Sequence, residues 1–333
     1  MIKEFHAPAF ISVACTMSNN IIIARDWSSN TCLLDSDANV LHQGRIARGI
    51  SDSAVISPDG RIFFCSDRCY IICNPDGTFS EKYEFDDYPT KPYFLSNGNM
   101  LFGCGNKILS GSREGGFKTI YEDTLRVSPL PLDSGNILVH VQKDNSPNKH
   151  FIMLNPLGEI TAQLPSFSCS VSVHSMPDQR IALWFPKNGA KASSQLQTSI
   201  YSETGNLLTR QYIEYGDPIP ILLNDGLWAM TAGNYQGNFV HILDDNMKIT
   251  ESYPFPDEFN AAIFNISPDG DFIAGDLEGN VCIMSRSGKI QKLISLNNSG
   301  GLKGKPCCLK DGTVVIGSRE HTLYFIKPDE YAV

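Results

Sequence analysis

A chain of 333 residues, 42% of them hydrophobic, has enough apolar material for a large core. Its 27 basic and 36 acidic residues leave a formal net charge of -9, which excludes an extended nucleic-acid footprint because phosphate binding needs a basic stripe. No run approaches the roughly 18 consecutive apolar residues of a membrane-spanning helix, so no membrane segment is expected.

The chain opens on Ile2-Lys3-Glu4-Phe5, which has the look of Glu81-Lys82-Tyr83-Glu84-Phe85 further on, a strand that ends a unit. Ala7 to Met17 is apolar. Glu4 stands where a targeting leader needs basic charge, and the stretch falls in step with a repeat, so it reads as a strand and not as a signal. A tight-turn marker then recurs eight times, at Asn19-Asn20, Pro58-Asp59-Gly60, Asn97-Gly98, Ser134-Gly135, Asp178-Gln179, Asp225-Gly226, Asp269-Gly270 and Asp311-Gly312. Successive markers lie 37 to 47 residues apart. A second series keeps step with the first: Ala38-Asn39, Asp76-Gly77, Gly115-Gly116, Leu157-Gly158, Thr204-Gly205, Asn246-Met247, Ser287-Gly288 and Pro328-Asp329.

Between the markers lie short β-rich runs, too short for helices. Strand B of the unit is clear at Arg61 to Cys65, Ile137 to Val141, Ile181 to Phe185 and Thr313 to Ile316. Strand C is clear at Tyr70 to Cys73, Phe151 to Leu154 and Leu323 to Ile326. Each unit therefore reads as strand A, tight turn, strand B, loop, strand C, tight turn, strand D, then a crossover. Four-stranded units of this length cannot bury both faces alone and stack radially, which predicts an all-β, eight-bladed β-propeller occupying residues 1–333 as a single domain, with seven blades as the alternative. The first strand is expected to complete the last blade and close the ring.

Most of the ten cysteines fall inside apolar runs and read as reduced, buried hydrophobes. Cys65, Cys69 and Cys73 lie across a hairpin without the paired two-residue spacing of a zinc site, so no metal is expected. Reduced thiols without a leader suggest a cytoplasmic protein. Gly300 to Lys305 is glycine-rich, but Pro306 stands where a phosphate loop needs Ser or Thr, and it reads as a flexible crossover. His140, in strand B, reads as a core histidine with its hydrogen bonds satisfied.

The segments VVIGSREHTLYFIKPDE (314–330) and FIAGDLEGNVCIMSRSGKI (272–290) resemble the repeat of the quinoprotein-dehydrogenase-like, or PQQ-like, propellers. Turns of the SPDG type are also similar to those of WD-repeat propellers. The resemblance implies the propeller fold. It does not extend to the quinone site: that family's repeat tryptophan has no counterpart, since Trp27, Trp184 and Trp228 are placed otherwise. Neither a PQQ-dependent dehydrogenase nor any bound cofactor is therefore expected.

Alternating strand direction puts all tight turns on one face of the ring and the B–C loops and D–A crossovers on the other. Loops on a rigid scaffold are where binding residues gather. The candidates on that face are Arg25, Asp26, Trp27, Asp67, Arg68, Asp257, Glu258, Arg319 and His321, with Asn234-Tyr235, Asp276, Glu214 to Asp217 and the excursion Pro186 to Gln195 nearby. No catalytic motif is present, so the expected function is binding of a small molecule, peptide or protein on this loop face and at the channel mouth. The alternative is a propeller hydrolase, lyase or isomerase acting on a small molecule at the same mouth.

Overall fold

The computed structural model describes residues 2–6, 11–16, 22–26, 30–45, 54–76, 78–112, 114–142, 148–169, 171–186, 195–214, 220–234, 237–296 and 301–328. It is all-β, with eight four-stranded antiparallel sheets arranged as the blades of a ring. Seven blades take their strands in sequence order. The eighth consists of Leu302–Cys308, Val314–Ser318 and Thr322–Ile326, completed by Lys3–His6. That first strand pairs from Lys3 with Phe325 to His6 with Thr322, and the His6 imidazole Nδ1 meets the Thr322 hydroxyl at 2.9 Å. The ring is thus closed as expected.

The two turn series are the reason the blades repeat. In the A–B turns the glycine N–H donates to the carbonyl three residues back, as in Gly60 to Ser57 at 2.9 Å and Gly312 to Leu309 at 3.0 Å. The turn then requires a left-handed residue, and Gly60, Gly98, Gly135, Gly226, Gly270 and Gly312 supply it at φ between 80° and 93°. Blade 5 turns at the corresponding place with two left-handed residues in succession, Asp178 and Gln179, at φ 79° and 64°.

The predicted B strands are found with their ends within two residues of the apolar runs, at Ile62–Ser66, Ile137–Gln142, Arg180–Pro186 and Val314–Ser318. Apolar clusters lie between blades, as where Ile273, Val281 and Ile283 of blade 7 meet Val314, Ile316 and Tyr324 of blade 8. Burial of that kind supplies most of the driving force, at roughly 25 cal/mol per Å² of apolar surface.

One local expectation needs correction. Residues 302–305 are not a flexible crossover but part of the inner strand of blade 8, whose pairing shifts register between Lys303 and Cys307. A bulge absorbs the extra residues there. Cys307 and Cys308 end the inner strand.

Candidate functional site

The candidates among the described residues separate into sectors of the loop face. Arg25 and Asp26 end strand B of blade 1 (Ile22–Asp26); their side chains, and all of Trp27, lie outside the described residues, as do Tyr235 and residues 187–194 and 215–217. Asp257 and Glu258 are exposed on the crossover between blades 6 and 7. That crossover is anchored by Phe255 and Phe259, both buried, with ring centroids 5.1 Å apart. Glu258 sits left-handed at φ 69°. Arg319 is exposed at the B–C turn of blade 8, where its N–H donates to the Gly301 carbonyl at 3.0 Å. His321 follows at φ 68°, partly buried. Asp276 is not a surface group: it is 1% exposed and caps its own turn, accepting from the Glu278 and Asn280 backbone N–H groups and from Asn280 Nδ2 at 2.7 to 2.9 Å.

Asp67 and Arg68 are brought into a constructed site. They form the two-residue turn between Ile62–Ser66 and Cys69–Cys73, and both are exposed. The crossover from blade 2 to blade 3 folds back over this turn, with the Phe85 N–H donating to the Arg68 carbonyl at 2.7 Å. It then runs along strand B of blade 3 (Met100–Cys104), where Pro89 bridges Cys104, Gly105 N–H donates to the Tyr88 carbonyl at 3.3 Å and Thr90 N–H to the Gly103 carbonyl at 2.7 Å.

Tyr88 is thereby held on a fixed backbone and remains 46% exposed as a residue. The Arg68 guanidinium lies 5.7 Å from the ring centroid and that of Arg126, the first residue of the inner strand of blade 4 (Arg126–Pro131), lies 5.5 Å from it. Both distances are within cation–π range. An open cleft of about 570 Å³ adjoins, lined by Asp67, Arg68, Lys82, Glu84, Phe85 and Tyr88. Lys82 bridges Glu84 at 2.6 Å and holds its carboxyl below the usual range. Tyr88 and Arg126 carry no sequence signature. Only the rule that crossover residues face this rim, applied to Asp86-Asp87-Tyr88-Pro89, could have found the tyrosine.

Two more cavities depart from the expectations. The larger, about 600 Å³, is on the tight-turn face between blades 3 and 4, lined by Phe94, Asn97, Leu101, Ser110, Asp133 and Ile137. The binding residues were expected on the opposite, loop face. The smaller, about 190 Å³, lies at His140. His140 is not the satisfied core histidine anticipated: its Nε2 is buried without a hydrogen-bond partner, and burial pushes its pKa down to about 4. Beside it on that face Leu138 and Phe151 are apolar, and the Ser128 hydroxyl opposite it makes no hydrogen bond to Nε2.

For metals and thiol chemistry the arrangement offers little. Among the described residues no cluster of three metal-ligating side chains occurs. Burial drives the Cys73 thiol up to about 11 and those of Cys282 and Cys308 up to about 12, away from the thiolate form.

The chain is an eight-bladed β-propeller with candidate sites on both faces. No protein-family model matches it, and no curated protein does. Among solved structures it is similar to the Dos1 propeller, at TM-score 0.68 and 9% identity over 98% of this chain and 94% of that one. It is also similar to BamB from Moraxella catarrhalis, at TM-score 0.60 and 15% identity over 98% of each chain. A streptogramin B lyase aligns at TM-score 0.54 and 13% identity over 98% and 97%. At these identities the likeness is one of fold, and it bears out the propeller expected from the repeat.

Proposed function

We propose that this protein is a binding propeller whose loop face docks a protein or peptide partner at the Arg68–Tyr88–Arg126 cleft. The observation that carries the reading is the pinned, exposed Tyr88 ring with two guanidinium groups within 6 Å of it. Tyrosine and arginine dominate binding hot spots because each combines a large contact area with directed hydrogen bonds. A tyrosine on a backbone tied to its own blade loses little freedom on binding. The ring packs against an apolar partner side chain, while the guanidinium N–H groups take a carbonyl or carboxylate beside it.

The same proposal places the protein in the cytoplasm. Among the described residues nine cysteines stand outside any disulfide and six of them are buried, which supports a reducing compartment.

Photo-crosslinking tests the docking surface. A benzophenone amino acid at position 88 is expected to give one dominant adduct in cells, lost when Arg68 and Arg126 are both alanine. The same label at position 157, on the opposite face, is expected to give none. Equal adducts from both positions, or an adduct indifferent to the arginines, would overturn the reading.

A further inference from the structure

We propose that the cavity beside His140 is a binding site for a small, uncharged ring compound carrying a hydroxyl group, of which phenol is the simplest member. The cavity is built by inner strands of three successive blades: Tyr93 from blade 3, Ser128 from blade 4, and Val171 and Val173 at the start of blade 5. It therefore opens in the wall of the central channel. Ser128, His140 and Phe151 are direct register partners across the first three strands of blade 4, so their side chains rise from one face of that sheet. His140 is two residues from the loop-face end of its strand, Ile137–Gln142, which puts the cavity near that mouth.

Size and chemistry select the ligand. An apolar cavity of about 150 Å³ accepts a benzene ring, and this one measures about 190 Å³, leaving room for a ring and one further polar group. The imidazole stacks on Phe151 at 5.2 Å and 23°, giving a flat aromatic wall. Burial and the nearby Lys149 charge keep it neutral at physiological pH, so its two nitrogens are one donor and one acceptor. Nε2 is buried and unpartnered, and a polar atom left so is destabilising. A ligand hydroxyl both donates and accepts, and satisfies Nε2 in either tautomer. Among the described residues no Asp, Glu, Lys or Arg lines the cavity, so a charged ligand would lose its hydration with no counter-charge to replace it.

The test is a titration of phenol, toluene and benzoate into the full chain with ¹³C-labelled histidine, following the His140 imidazole signal assigned with His140→Phe. Phenol is expected to give a saturable shift, toluene to bind roughly tenfold more weakly for want of the hydrogen bond, and benzoate to give none. Followed by fluorescence, His140→Phe is expected to weaken phenol roughly tenfold, and Val173→Phe, which fills the space, to abolish binding. Thermal melts report whether each variant is folded; if neither is, the phenol-to-toluene ratio in the unaltered chain decides. Absence of a saturable His140 shift, equal affinity for toluene, binding of benzoate alongside phenol, or unchanged phenol affinity in a folded variant would overturn the proposal.

Discussion

Blades 7 and 3 follow one plan and differ in what fills them. In blade 7, Ile273 of strand B faces Ile283 of strand C, and Phe272 faces Met284; all four are buried. Blade 2 places Ile72 and Cys73 at those two strand C positions, and blade 8 places Phe325 and Ile326. In blade 3 the residues facing Leu101 and Met100 are Ser110 and Gly111. At Ser110, where bulk is lost on the side towards blade 4, the cavity of about 600 Å³ opens. Fidelity to the repeat marks scaffold, and the places where the repeat decays are where the molecule has space to bind something.

The harshest way to break this comparison is to open the regular side of the ring. Deleting residues 2–6 removes the strand that pairs with Thr322–Ile326 and leaves a central strand as an unprotected edge. The expected loss is on the order of 5 kcal/mol or more, with aggregation, because it exceeds what one substitution removes. Solubility and melting temperature unchanged after the deletion would show that the closure contributes nothing.

Next comes Phe325→Ala, at the register position that Ser110 holds in blade 3. Phe325 is fully buried, so truncation is expected to cost about 3 to 5 kcal/mol by chemical denaturation. Ser110→Ala, at the matching position, is expected to stay within about 0.5 kcal/mol. Similar costs at the two positions would dissolve the distinction between filled and open blades.

A smaller effect follows from His140. Its folded pKa of about 4 lies below the ordinary 6.5, so above pH 6.5 the imidazole is neutral in both states and contributes no pH dependence. As pH falls from 6.5 towards 4 the unfolded chain takes up the proton first, and stability is lost across that window by about 2 to 3 kcal/mol. His241, stacked on Phe239 and also depressed by burial, adds a loss of the same sign. Denaturation at pH 7 and pH 4.5 is expected to show a smaller difference in His140→Phe than in the unaltered chain.

The ring was legible from the sequence because turn chemistry is local. A left-handed residue four positions after a strand end leaves a mark such as Pro58-Asp59-Gly60, whatever the rest of the fold does. The sites were less legible because they depend on which residues meet across blades. Asp67 and Arg68 could be named as loop residues, but Tyr88 and Arg126 join them from two further blades. Asp276 misled for a related reason: an acid in a B–C loop looks like a surface group until its three hydrogen bonds show it capping its own turn. His140 was misjudged because a strand histidine usually finds a partner, and only the identity of its neighbours reveals that this one does not.

The smallest expected effect bears most directly on the origin of the blade 3 cavity. If it exists because Ser110 stands where other blades place Ile283, Ile72 or Phe325, restoring bulk there is expected to help the fold. Ser110→Val adds branched apolar volume facing Leu101, on a strand whose pairing already favours β-branched residues. Overpacking ordinarily costs about 1 to 3 kcal/mol in a filled core, but here the new methyl groups enter open space, and a gain of about 0.5 to 1 kcal/mol is expected. Gly111 is a different case: a Cβ added there would lie 2.1 Å from the Gly116 carbonyl oxygen, so Gly111→Ala is expected to destabilise although the cavity is beside it. Thermal melts of the two variants separate the explanations. A destabilised Ser110→Val would mean that blade 3 is packed around its serine, and that the cavity is not the space left by a missing side chain.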